Sequence, residues 1–140
     1  MQLTRAADYA IRVMVHLAGL KLGVRASRAE LAEAAGCPEQ FLAKVMQTLT
    51  RAQLVTSHRG NTGGFELPEA HRRASLLDVV EAVEGPIRLN LCIDSAYGCD
   101  RKSWCPAHRV WVEAQVALTA VLRNARLDDL ARQADRKAWN

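Results

Sequence analysis

Apolar residues recur at helical spacing from the start of the chain. Ala7, Ala10, Ile11, Met14, Leu17 and Ala18 mark one face of a predicted helix over residues 4–21, and Gly23 follows its end. Ser27-Arg28-Ala29-Glu30 reads as a capping box, in which the serine caps the backbone and the glutamate reaches back. It opens a short helix to about Ala35, which Gly36 breaks. Pro38 suits the first turn of a third helix. That helix runs to about Ala52 with Phe41, Leu42, Val45, Met46 and Leu49 as its apolar face.

The period then changes. Leu54-Val55-Thr56-Ser57-His58 favours a strand, Arg59-Gly60-Asn61-Thr62-Gly63-Gly64 a turn, and Phe65-Glu66-Leu67 a return strand. Three helices followed by a hairpin give the order of a winged helix-turn-helix. Ser75-Leu76-Leu77-Asp78 starts a fourth helix that Gly85-Pro86 stops. Residues 87–105 lack periodicity and read as a loop. Pro106 opens a long helix to about Arg123, and a last short helix covers roughly 128–138. Trp111, Val112, Leu118, Val121 and Leu122 place apolar side chains on more than one face of the long helix, which implies a partner. The expected fold class is mainly α with a small β-hairpin wing and a long C-terminal dimerisation helix. Residues 1–75 would form a DNA-binding domain, and residues 76–140 a ligand loop with dimerisation helices.

Charge divides along the same line. The net charge is +4, and all of it falls in residues 1–75, where 10 Lys/Arg face 6 Asp/Glu; the remainder is balanced. A basic half joined to a neutral half suggests a polyanion-binding module. Arg5, Asp8, Arg12 and His16 interrupt the apolar start, which excludes a secretory or membrane-spanning segment there and points to a cytoplasmic protein with reduced thiols. Cys37, Cys92, Cys99 and Cys105 are then ligands, redox groups or core filler rather than disulfides. Cys37 stands apart by the helix 2–3 turn and reads as core.

The other three cysteines are spaced Cys92-x6-Cys99-x5-Cys105. Zinc knuckles usually place cysteines two to four residues apart, so these gaps suit a loop wrapped around a larger centre. An iron–sulfur cluster, four-iron or two-iron, wants one thiolate per iron and would need a fourth ligand. His108, three residues after Cys105, is one candidate. Asp8 is the other, provided that a dimer brings the partner's first helix to the loop. A zinc site and a thiol redox switch compete with this reading.

In a helix-turn-helix the N-terminal residues of the second helix face base edges in the major groove. Here these are Glu39, Gln40 and Ala43; glutamine suits adenine and glutamate suits cytosine. Lys44 and Arg28 are placed for phosphates, with Arg5 as a further contributor. His58 and Arg59 lie at the wing, where an arginine can enter a narrow minor groove. The alternative is a set of solvated surface charges. A small redox enzyme finds little support, because no nucleophile–base pair, phosphate loop or CxxC motif is present.

These residues resemble the Rrf-type winged-helix regulators that include IscR, NsrR and RirA. The resemblance covers nearly the whole chain. It is carried by Ala7-Asp8-Tyr9-Ala10-Ile11-Arg12, Glu30-Leu31-Ala32, Phe41-Leu42-Ala43-Lys44-Val45, Leu54-Val55, the Arg59-Gly60…Gly63-Gly64-Phe65 wing, Asp78 to Pro86, and the three-cysteine loop. It implies a homodimer that binds a partly palindromic operator, with no membrane partner, acting as a repressor. Operator affinity would follow an iron–sulfur cluster that senses nitric oxide, iron or redox state. An Asp on the first helix is the fourth ligand in NsrR-like members and matches Asp8. A His three after the last Cys serves IscR-like members and matches His108. The first cysteine gap is one residue longer than the common one, Asn61-Thr62 departs from the usual wing, and Pro38 replaces a frequent Ser or Thr. Subclass and fourth ligand therefore stay open.

Overall fold

A computed structural model describes residues 2–134. Helix α1 (Arg5–Gly19) starts at Thr4, whose side chain accepts from the Ala7 amide, and buries Ala7, Ala10, Val13, Met14, Val15, Leu17 and Ala18. Its last carbonyls are satisfied from a distance: Arg72 Nη2 donates to Ala18 O and Leu20 O, both at 2.7 Å. A cation at a helix C-terminus also complements the helix dipole. Helix α2 (Arg28–Ala35) begins at Ser27, which caps the Glu30 amide, and ends at Gly36 in the left-handed conformation (φ 66°) that favours glycine. The expected capping box is only half formed. Glu30 Oε1 pairs with His16 Nε2 at 3.2 Å on α1 instead of reaching back. The long carboxylate finds an imidazole across the interface, a contact that local sequence does not encode.

Helix α3 (Glu39–Arg51) buries Leu42, Val45, Met46 and Leu49. The edge-to-face contact of Tyr9 with Phe41, 5.5 Å between centroids, seats its first turn on α1. Strands β1 (Thr56–His58) and β2 (Gly64–Glu66) pair antiparallel. The first strand starts two residues later than its β-favouring composition predicts. Leu54 and Val55 are buried in a bend after Gln53 (φ 63°), and core packing outweighs strand propensity there. A third backbone segment joins the hairpin, since Ala26 and Phe65 exchange both amide hydrogen bonds at 2.9 and 2.8 Å. Gly64 permits this approach: a Cβ there would stand 2.7 Å from Ala26 O.

Helix α4 (Leu76–Glu84) starts with a complete capping box: Ser75 Oγ accepts from the Asp78 amide, and Asp78 Oδ2 accepts from the Ser75 amide. A 3-10 turn, Leu91–Ile93, interrupts the expected loop. Helix α5 (Pro106–Asn124) buries no residue. Leu118 and Leu122 pack it against Leu77, Val80 and Ile87. Helix α6 (Leu127–Ala134) returns to α1 and places Leu127 and Ala131 in the main core beside Val79. That core therefore runs across position 75. The part of the last expected helix beyond 134 lies outside the described residues. Among the described residues no helix is long and apolar enough to cross a membrane.

Candidate nucleic-acid interface and cysteine loop

The buried stripe of α3 faces α1, α2 and α4, and its other side is left to solvent. Glu39, Gln40 and Lys44 are exposed there, and Ala43 is half-buried. Arg28, the first residue of α2, is exposed on the neighbouring helix. A groove of about 630 Å³ between α3, the start of α2 and the hairpin is lined by Arg28, Lys44, Gln47, Arg51, Ser57 and Phe65, among others. Two expected phosphate contacts, Arg28 and Lys44, thus share one surface. Gln47, Arg51 and Ser57 were not picked out by sequence. For Gln47 and Arg51 the signal was available, because Gln40, Lys44, Gln47 and Arg51 continue one helical face at spacings of four, three and four. Arg5 opens α1 and does not line the groove.

The wing is held at its base and side. Arg25 Nη1 donates to Thr62 O at 2.9 Å, which ties the turn to the strand-like segment before α2. Arg59 is exposed in the turn that follows β1. His58, at the end of β1, is half-buried, and its Nε2 lies 2.9 Å from Glu66 Oε2 on β2. The structure therefore gives His58 a cross-strand partner, while Arg59 has its guanidinium in solvent.

The cysteine loop hangs on α5. Gln115 holds its first residues with both ends of its side-chain amide: Oε1 accepts from the Leu89 amide at 2.9 Å, and Nε2 donates to Ile87 O at 2.6 Å. Asn90 caps the 3-10 turn that carries Cys92. Cys99 follows Gly98, and Cys105 is the residue before α5, its amide bonded to Arg101 O at 2.8 Å. All three thiols are free and half-buried. His108 sits in the first turn of α5, and its Nδ1 is buried with no hydrogen-bond partner. Such an orphan calls for a partner that the described residues do not supply. The donor types thus suit a thiolate-bound centre. Their positions are another matter: among the described residues no three His, Cys, Asp or Glu side chains group closely enough to hold a metal ion. Asp8, on the exposed side of α1, is engaged by Arg12 at 2.9 Å. Arg12 also donates to Ala35 O at 3.0 Å, closing the end of α2. Cys37 is buried, donates to Pro38 O, and has its thiol pushed up from 9.0 by desolvation, so it behaves as core.

Comparison with known proteins agrees with this architecture. Over 87 residues the chain is 39% identical to Rv1287 of Mycobacterium tuberculosis, named as an HTH-type transcriptional regulator; the match takes in 62% of this chain and 54% of that protein. The matched stretch therefore spans about half the length of that relative. The structure of CymR (YrzC), the global cysteine regulator of B. subtilis, superposes with a TM-score of 0.75 at 26% identity, covering 95% of this chain and 98% of that one. T. potens IscR superposes with a TM-score of 0.76 over 100% of this chain and 93% of its own, and at 22% identity it shows the shared fold alone. The model of the Rrf2 family, described as iron-dependent transcriptional regulators, matches residues 3–133, and the chain belongs to that family.

Proposed function

We propose that this protein is a homodimeric repressor that reads duplex DNA with α3 and the wing. Its operator affinity would be set at the three-cysteine loop. The observation that carries the DNA reading is the exposed polar face of α3 beside a groove whose charged lining residues, Arg28, Lys44 and Arg51, are all cations. Glu39, Gln40 and Ala43 offer contacts to base edges, Arg28 and Lys44 neutralise phosphate, and Arg59 is available to a minor groove. His58 is better placed to brace the hairpin through Glu66 than to touch a base. Helix α5, with Val110, Val116 and Val121 exposed, is the surface for the second copy. In this reading residues 1–75 carry the DNA contacts, and residues 76–140 carry the loop and the dimer contact.

The ligand we assign to the loop is an iron–sulfur cluster, four-iron or two-iron, on Cys92, Cys99 and Cys105. His108 or Asp8 would be the fourth donor. The orphaned Nδ1 of His108 supports the histidine; Asp8 would have to give up Arg12. The described conformation does not gather the thiols, so binding requires the loop to close. Bound iron would supply reactivity toward nitric oxide, oxygen or chelators. The residues of the chain convert loop closure into a change at α5: Ile87 and Leu89 are bonded to Gln115, and Leu118 and Leu122 pack on α4. A second reading, a cluster-free or zinc-binding regulator, is favoured by the ungathered donors and by the likeness to a cysteine regulator.

Duplexes selected from a random pool test the first part. The wild type should bind them with steep salt dependence, and Gln40→Ala should lose about 1–3 kcal/mol at one base position. No selected sequence would mean no DNA-reading role. Anaerobic purification tests the second part. A brown protein with iron and sulfide whose colour vanishes in Cys99→Ala supports the cluster, whereas a colourless zinc or metal-free protein supports the second reading.

A further inference from the structure

The phosphate contacts inferred above belong to the N-terminal half of α3 and to the start of α2. The structure shows more positive charge further along the same face. Arg51, the last residue of α3, lines the groove with Arg28 and Lys44. Ser57 on β1 adds a hydroxyl at the hairpin side, and Gln47 adds an amide between the two α3 cations. No acidic residue lines the groove, and none of its three cations takes part in an ion pair or side-chain hydrogen bond among the described residues. Arg12, Arg73 and Arg132 are engaged by aspartates; what sets Arg28, Lys44 and Arg51 apart is that three unpaired cations line one groove. The floor is different again. Met46 is buried there and Phe65 half-buried, so apolar side chains share the lining with the cations.

We infer that this groove is a seat for a DNA backbone phosphate, with Arg51 as a contact that fixes how far the wing stands from α3 along the duplex. The inference rests on the DNA-binding reading and deepens it. Three unpaired cations from two helices lining one cleft, with hydroxyl and amide donors among them, suit the anionic DNA backbone in sign of charge and in donor type. Because β1 forms one wall, a phosphate held there touches the reading helix and the wing together. Register on the backbone, which lets α3 and Arg59 address different grooves, would then depend on this point of contact. A phosphodiester contact carries no base information, so its loss should weaken all sequences alike.

The test is the salt dependence of duplex binding by the full chain, measured by fluorescence anisotropy. The duplexes are the selected one and an unrelated one of equal length. Arg51→Ala should reduce the slope of log K against log salt by about 0.9, which corresponds to about eightfold weaker binding at 0.1 M salt and little change near 1 M. The loss should be equal on both duplexes. Arg51→Lys should restore the slope, and Arg132→Ala, which removes a cation on α6, should leave it unchanged. Arg51 is exposed at the end of its helix, and an unchanged melting temperature in Arg51→Ala excludes a folding defect. A wild type with steep salt dependence and an Arg51→Ala variant of identical slope overturns the phosphate seat alone. A loss confined to the selected duplex also overturns it, since that pattern means base readout. A wild type that binds neither duplex at low salt overturns the seat together with the DNA-binding reading.

Discussion

Helices α1 and α5 are both amphipathic and both central to their halves of the chain, yet they are used in opposite ways. Seven of the 15 residues of α1 are buried, and none of the 19 of α5 is. The difference lies in what the chain supplies around them. Helices α2, α3, α4 and α6 pack on α1, whereas α5 receives α4 and the 3-10 turn at Leu91–Ile93. Three valines of α5 keep more than 60% of their accessible surface: Val110 at 63%, Val116 at 62% and Val121 at 67%. Apolar content sets how much surface must be covered; topology decides whether the same chain can cover it.

The sharpest way to break this comparison is inside α1. Leu17→Ala should destabilise the protein by about 2–5 kcal/mol in urea unfolding, since Leu17 is 1% exposed among side chains that cannot fully close a cavity. A cost below 1 kcal/mol would mean that α1 is less closely enclosed than its burial suggests. On α5, Val116→Glu combined with Val121→Glu should weaken self-association about 10- to 100-fold, roughly 1.4–2.8 kcal/mol. Sedimentation velocity should detect this without a change in helical content, and an unchanged dimer would move the interface elsewhere. Ser75→Ala should cost about 1 kcal/mol, because the serine is 1% exposed and closes both sides of a capping box. Thermal melts are the readout, and Ser27→Ala, at an exposed and half-formed box, should cost less. The smallest effect belongs to Thr50→Val. Thr50 Oγ1 is buried without a partner, so removing it should leave stability within about 0.5 kcal/mol of wild type or slightly above it.

Much of this architecture was legible in local patterns. The 3.6-residue rhythm and the signals at Ser27, Gly36, Ser75 and Pro106 place the helices within a residue or two, since capping is decided by neighbours in sequence. Non-local contacts were not legible. Nothing near Ala26 announces a backbone pairing with Phe65, and Glu30 is drawn to His16 by a helix packing that its own segment does not encode. Leu54 and Val55 have strand composition, but the core takes them as a bend. On the exposed face of α3, attention to the N-terminal turn singled out Glu39, Gln40 and Lys44 as candidate contacts. It passed over Gln47 and Arg51, which become part of one surface only once β1 and the start of α2 are in place. For the cysteine loop, the spacing of Cys92, Cys99 and Cys105 leads one to expect thiols gathered on one centre, which the described residues do not show; a segment without periodicity has no local pattern from which their placement could be read.

The return of α6 to α1 has a practical consequence for anyone wishing to dissect the protein. A fragment cut at the charge boundary near residue 75 would lack Val79, Leu127 and Ala131, leaving the inner face of α1 partly naked to water. It would also strip the Ala74 carbonyl of the Leu127 amide that it now accepts at 2.9 Å. Such a piece should be sticky and poorly folded, so the two halves of the chain cannot be studied as detachable parts. Their interplay has to be probed by point changes in the intact polypeptide.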